Sequence, residues 1–418
     1  MNAGEIQKKH KEFVYKGFDY KTVGTDLKIW FNFSINPDLK FTTEIIIKNI
    51  EKSELKDIDN LVFHLGLIEM LNYWKLTCSP IIKIEAGNLD KQQITFLKRI
   101  IINGMGQYFY ENKIDFRKPK FLEIIVNKNK PQFKPLEKKL NNKRVLVPIG
   151  GGKDAPVTLK MLDKQKKNIG SFVLNAIKPQ KDIIRIARLK ENIFIERKLD
   201  SKLFALNKKG LLNGHVPFSA FLSFLSILLA EIFDYGTIAF SWEKSADEGN
   251  VKYQGKWINH QWSKSSEFEK MMQNYAKKYL LKNIKIYSPL RKLSEIEIIK
   301  KFAGLKQYHP FFLSCNNAYK TKNASKRWCG KCAKCLFVFS ALYAFVEKKD
   351  MIKIFGKNLF EDKKLVPLME QLIGEKAFKP FECVGTISES KKIIKSCIEK
   401  ERHNLPIVLK KISETIKR

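Results

Sequence analysis

Val145-Leu146-Val147-Pro148-Ile149-Gly150-Gly151-Gly152-Lys153-Asp154-Ala155-Pro156 is the stretch whose reading decides the fold. It opens with a short apolar run of the kind buried inside a parallel sheet. Three glycines, a Lys-Asp pair and a helix predicted from about Pro156 follow. Glycines let a backbone turn sharply and aim its amides at a phosphate. A helix N-terminus adds unpaired N–H groups and the positive end of a dipole. Pro156 suits the first helical position, where no N–H is needed. Lys153 adds positive charge, and Asp154 can hold a Mg²⁺ that bridges phosphate oxygens. The plain alternative is an ordinary glycine-rich turn, but strand, glycines, Lys-Asp and helix stand in the order a phosphate site requires. The Gly-Lys-Ser/Thr ending of the Walker loop is absent.

Strands and helices alternate downstream of this loop. Residues 171–174, 193–196, 237–241 and 284–287 read as strands, and 181–189, 216–233 and 266–281 as helices. Such alternation predicts an α/β fold with a doubly wound parallel sheet, whose ligands sit at the carboxyl ends of the strands. Residues 1–127 read as an N-terminal α+β domain, with strands at 27–33, 41–47 and 121–126 and helical spacing over 58–74 and 92–110. A Lys/Asn/Pro-rich linker over 128–143 leads into a domain at 144–346. The stretch 347–418 reads as a Lys-rich helical extension.

Of 418 residues, 44% are hydrophobic and 29% charged, which excludes a disordered or fibrous chain. Lys and Arg total 78 against 43 Asp and Glu, giving +35. Only ten of the 78 are Arg, so the excess fits AT-biased codon usage as well as a phosphate-binding face. It suits anionic small substrates and does not call for nucleic acid. The N-terminus lacks the apolar core of a signal peptide. The apolar run 216–233 contains Pro217, three serines and Glu231, and reads as a buried core helix rather than a membrane span. A cytoplasmic protein is expected.

Four of the seven cysteines, Cys315, Cys329, Cys332 and Cys335, form C-x13-C-x2-C-x2-C. Two-residue spacings let thiolates converge on one ion, and a fourth from across a loop closes a tetrahedron. Structural zinc is the first reading and an iron–sulfur cluster the second. The neighbouring Lys322, Lys326, Arg327, Lys331 and Lys334 offset thiolate charge. Cys78 and Cys397 read as ordinary thiols.

Further candidates follow the strands. His215, in Asn213-Gly214-His215-Val216-Pro217, either contacts nucleotide or substrate or makes a structural hydrogen bond. Glu243, Asp247 and Glu248 follow the fourth strand of the alternating series, where such a sheet places its active site; they bind Mg²⁺, act as a base, or form a solvated acidic loop. Asn259-His260-Gln261-Trp262-Ser263-Lys264-Ser265 combines polar groups with an aromatic and suits a binding loop. Cys383, beside Glu382, is either an acid/base thiol or a half-buried Cys in a turn.

The glycine stretch resembles the pyrophosphate loop (PP-loop) of the ATP-pyrophosphatase group, Ser-Gly-Gly-x-Asp-Ser, which cleaves ATP to AMP and diphosphate. Gly150 stands where that pattern has its first Ser and Ala155 where it has its last, so two hydroxyls are missing and the amides remain. Together with the segments at 213–217, 243–250, 259–265, 329–335 and 379–385, it resembles the UDP-N-acetylmuramoyl-L-alanyl-L-glutamate epimerase family. The resemblance implies an adenine nucleotide alpha hydrolase-like fold and ATP-dependent inversion of the terminal L-Glu of a peptidoglycan precursor. That role would serve cell-wall synthesis and, through it, cell shape and division. It implies ATP, Mg²⁺ and structural Zn²⁺, a UDP-linked muramoyl dipeptide as substrate, and an upstream ligase that adds L-Glu. Gly150, Gly151, Gly152, Lys153, Asp154 and His215 would bind nucleotide. Asp154, Glu243, Asp247, Glu248, His260, Lys264 and Cys383 would serve the chemistry, with Glu382 a further candidate. The rivals are an enzyme like 7-cyano-7-deazaguanine synthase, acting on a nucleobase or tRNA, and a non-catalytic nucleic-acid-binding relative.

Overall fold

The computed structural model describes residues 2–50, 55, 57–130, 132–320, 328–376, 378–402 and 404–416. Its strands in chain order are β1 (Glu12–Val23), β2 (Asp26–Ile35), β3 (Leu39–Ile47), β4 (Ile81–Ile84), β5 (Glu123–Val126), β6 (Arg144–Pro148), β7 (Asn168–Leu174), β8 (Glu191–Lys198), β9 (Thr237–Ala239), β10 (Val251–Tyr253), β11 (Lys256–Ile258) and β12 (Lys285–Tyr287). Ten of them form one sheet in the order β12-β9-β6-β7-β8-β3-β2-β1-β4-β5, and β10 and β11 pair as a separate hairpin.

β12, β9, β6, β7 and β8 run parallel. The chain starts at β6, steps outward through β7 to β8, then returns to the other side of β6 for β9 and β12. This is the doubly wound arrangement, and its direction reverses between β6 and β9. The apolar run of β6 is central because both its faces are covered. Val145 and Val147 pack into one core and Leu146 into the other. Period-two alternation thus serves two cores at once.

The helices Asp154–Lys164, Lys178–Ile186, Glu295–Ala303 and Ala333–Tyr343 cover the Val145 face. The expected C-terminal helices, among them Lys348–Phe355, Val366–Leu372, Ile387–Glu401 and Ile407–Ile416, pack onto the same core. The helix Phe218–Ile232 covers the other face. It is buried almost all round, and among the described residues no helix is long and apolar enough to cross a membrane.

The N-terminal strands continue this same sheet. β3 pairs antiparallel with β8, from Glu44 opposite Lys198 to Ile47 opposite Ile195. β1 to β3 form an antiparallel meander, and β4 and β5 add parallel to β1. The sequence reading had not marked β1, β4 or the β10–β11 hairpin. Residues 132–143 run without a helix or strand, yet Leu136 is tied to the segment after β11 by bonds to Leu280 and Lys282 of 2.8 and 3.0 Å.

Candidate active site

The glycine loop leaves β6 at the point where strand order reverses, the place where sheets of this kind bind ligands. A cavity of about 530 Å³ opens there. Gly150, Gly151, Gly152, Asp154 and Ala155 form one wall; Trp242 and Lys264 a second; Ser314, Lys334 and Cys383 a third. None of the three loop glycines has positive φ. Their use is space. A Cβ on Gly150 would meet nothing within 4 Å, whereas one on Gly152 would lie 3.0 Å from Ser314 Cβ. Leu313 N donates to Gly151 O at 2.6 Å, so the 312–316 segment is laid along the loop.

The helix after the loop starts at Asp154, two residues before the expected start. Pro156 is therefore its third residue, still in the first turn, where an N–H has no partner within the helix. No side chain caps this end. Its amides remain available, and Asp154 stands at the positive end of the dipole.

Lys153 does not line the cavity. It is 2% exposed and clamped: Nζ lies 2.5 Å from Asp154 Oδ1 and 2.7 Å from Glu295 Oε1. Burial works against its charge, but Asp154, Glu295 and Glu243 push its pKa up. For Asp154, burial opposes ionisation, yet Lys153 and Lys334 hold its carboxyl below the usual range. Glu295 was not anticipated from sequence. Burial, reinforced by Asp154 and Glu243, pushes its carboxyl up to about 7 against the pull of Lys153.

The ammonium groups on the cavity wall come from Lys264 and Lys334. Lys264 Nζ lies 3.3 Å from Cys383 Sγ. Its burial disfavours charge, but Cys383 and Glu243 raise its pKa. Arg291 fixes the surrounding turns, donating to Lys264 O at 2.6 Å, Glu243 O at 2.8 Å and Glu269 Oε2 at 2.6 Å. Lys334 N donates to Glu382 Oε2 at 2.6 Å, and Lys334 Nζ to Cys383 O. Glu382 thereby sets the position of Cys383.

The remaining predicted residues surround this cavity without lining it. Glu243 is buried behind it. Asp247 accepts from Ser266 N at 2.7 Å, at the start of the helix Ser266–Tyr275. Glu248 accepts from Lys379 Nζ and Ile387 N, both at 3.0 Å. His260 and His215 pack with ring centres 4.5 Å apart and planes tilted by 50°, and His260 Nδ1 lies 2.5 Å from Gln107 Oε1. Burial, then Lys264, Lys334 and Lys379, pushes His260 down to about 3. Burial and His260 likewise keep His215 well below the ordinary histidine value. Sequence reasoning missed Trp242, Glu295, Arg291 and Ser314, and it took Lys334 only as charge balance for the thiolates.

The four predicted cysteines converge. Their sulfurs all lie within 4.8 Å of one another, with Cys315–Cys332 at 4.0 Å, Cys329–Cys335 at 3.6 Å and Cys332–Cys335 at 3.5 Å. A tetrahedral ion with bonds of about 2.3 Å sets its sulfurs roughly 3.8 Å apart, so the set fits a metal. Lys331 N and Cys335 N point at Cys329 and Cys332 sulfurs from 3.4 and 3.5 Å. Lys322, Lys326 and Arg327 lie outside the described residues. Cys397 is buried and donates to Ser340 O, and Cys78 is buried.

Residues 5–289 match the MurL N-terminal domain and residues 311–418 the MurL C-terminal domain. The chain belongs to the MurL family. A relative from Salinispora tropica is 30% identical over 89% of this chain and 79% of its own length. Relatives from a Micromonospora species and from Xanthomonas oryzae pv. oryzae are each 31% identical over 78% of this chain and 72% of their own lengths. All three are named UDP-N-acetyl-alpha-D-muramoyl-L-alanyl-L-glutamate epimerase. The chain is thus of a family of isomerases. Both MurL stretches build the cavity: the first carries the glycine loop, Asp154 and Lys264, the second Ser314, Lys334 and Cys383.

Proposed function

We propose that this chain inverts the terminal L-glutamate of UDP-N-acetylmuramoyl-L-alanyl-L-glutamate to D-glutamate, consuming ATP to AMP and diphosphate. The relatives' names support the substrate. The observation that carries the ATP step is the glycine loop at the strand-order reversal, read as a PP-loop, which faces Lys264, Lys334 and Cys383 across one cavity.

The chemistry needs activation. A proton on carbon next to a carboxylate is very weakly acidic, because removing it sets charge beside charge. Attack of that carboxylate on the α-phosphorus of ATP expels diphosphate and gives an acyl adenylate without the charge. A base then takes the α-proton, a proton is returned on the opposite face, and water releases AMP. The loop amides and the two wall lysines receive the phosphates. Asp154, an ionised carboxylate on the wall, would hold Mg²⁺, which when bound shields phosphate charge. Cys383 is the acid/base thiol of this scheme, and Lys264 stands where it would balance a thiolate. Lys153 acts from behind, orienting Asp154. Zinc is the metal proposed at the cysteines; a closed four-thiolate set is structural. A ligase that joins L-glutamate to the muramoyl-alanine precursor would supply the substrate.

The test is to incubate the protein with ATP, Mg²⁺ and the L-Glu precursor, then measure diphosphate and the chirality of glutamate after acid hydrolysis. D-glutamate formed with diphosphate is expected. Glutamate that stays L while the relatives' proteins convert it overturns the reading.

A further inference from the structure

We propose that Ser314 supplies the hydroxyl that grips a nucleotide phosphate at the glycine loop, an inference that rests on the ATP-binding reading above. From Ile149 to Ala155 the loop has no hydroxyl of its own. The 312–316 segment brings one. It is joined to the loop through Leu313 N and Gly151 O, and Ser314 lines the cavity shared by Asp154, Lys264 and Lys334. Ser314 Oγ is buried and has no hydrogen-bond partner among the described residues.

A buried hydroxyl without a partner is costly and needs a reason. Here the reason is at hand: the cavity's loop end, with its amides, two wall lysines and open space beside Gly150. With a turn about χ1 that brings Oγ to the cavity face of this half-buried serine, an entering anionic oxygen would accept from it, and a donor to a charged acceptor is worth more than one to a neutral group. The same contact explains Gly152, since a Cβ there would crowd Ser314 at 3.0 Å. The next residue is Cys315, so the thiolate cluster fixes the segment that presents the hydroxyl.

Ser314→Ala tests this cleanly, because it keeps the Cβ against Gly152 and deletes only the oxygen. The full chain is titrated calorimetrically with ATP and MgCl₂, with metal content and melting temperature measured on the same sample. The dissociation constant for ATP is expected to rise roughly ten- to a hundredfold, the worth of a hydrogen bond to a charged group. Metal content and melting temperature should match wild type. Ala155→Ser places a hydroxyl in the same cavity, on the glycine-loop wall, and in the Ser314→Ala background it should restore part of the lost affinity. Unchanged affinity in Ser314→Ala, or a loss that Ala155→Ser leaves in place, overturns the proposal while the ATP reading stands. A wild-type chain that binds no ATP removes both.

Discussion

The antiparallel end of the ten-stranded sheet buries rings, and the parallel end buries charge. On β1 and β2, Phe13, Tyr15, Phe31 and Phe33 cluster with Phe63 and Tyr73, at ring distances such as 5.9 Å for Tyr15–Phe63 and 5.4 Å for Phe33–Tyr73. A buried carboxylate there, Glu69, is matched at the seam by Arg197 at 3.2 Å and by the Thr43 hydroxyl at 3.1 Å. At the parallel end Lys153, Glu243, Glu295, Lys334 and Lys379 are all less than a tenth exposed, with Lys334 on the cavity wall and the other four not lining it. Rings repay burial with area removed from water. Charges do not, because desolvation offsets their attraction. A fold that concentrates buried charge at one point is spending stability on chemistry.

That contrast is tested most severely by a pair of variants. Asp154→Asn is expected to lower diphosphate release by about 100-fold or more, the scale of losing one preorganised electrostatic group. Phe31→Ala is expected to cost about 3–5 kcal/mol of stability in urea, with turnover per folded molecule unchanged. If the ring variant also slowed turnover by a comparable factor, the two ends would not be separable.

Lys153→Met probes the clamp itself. It leaves Asp154 and Glu295 without their cation, and about 3–5 kcal/mol of destabilisation is expected. Asp154→Asn should cost less, because Asp154 is 27% exposed at its side chain and Lys153 keeps Glu295. Equal losses would show that Lys153 is not the hub. A smaller and more local change is expected on stripping metal with a chelator. Amide exchange should rise in residues 313–316, 332–335 and 380–384, which the cysteines and Glu382 hold at the cavity, and stay unchanged in β1 to β3. A uniform rise would mean that the cluster supports the whole fold.

The parallel end was the more legible of the two. Its strands carry short apolar runs, such as Val145–Val147, Phe172–Leu174 and Ile193–Ile195, separated by helical spacing, so period and length both report them. The glycine loop and the cysteine spacing were visible because each is local in sequence. Glu12–Val23 was missed because polar residues alternate into its outer half, and Ile81–Ile84 because four residues carry little pattern. Glu295 and Ser314 were invisible for another reason. Ser314 reaches the cavity, and Glu295 reaches Lys153 behind it, from segments more than a hundred residues beyond the loop, and nothing local marks a serine before a cysteine or a glutamate at a helix start for these places. Lys153 was legible as a cation, but which way it faces depends on Glu295.

Glu295→Gln gives the smallest effect and the finest test of the contrast. The wild-type carboxyl is pushed up to about 7 by burial and its acidic neighbours, above the ordinary value of 4.5. Between these two pH values the folded chain holds a proton that the unfolded chain releases. Stability from this group is therefore complete below about 4.5 and is lost as pH rises through about 7. Gln mimics the protonated form at every pH. Its stability curve should fall less steeply than wild type between pH 4.5 and 7, by on the order of 1–3 kcal/mol in total. Urea denaturation of both chains across that window measures the difference directly. A matching substitution of Glu12, a half-buried strand carboxylate held below the usual range by Lys83, should leave the slope in that window unaltered, because its titration lies at lower pH. If Glu295→Gln follows the wild-type curve, Glu295 is already paired as an ordinary carboxylate, and the parallel end gives up less stability to its charges than its burial implies.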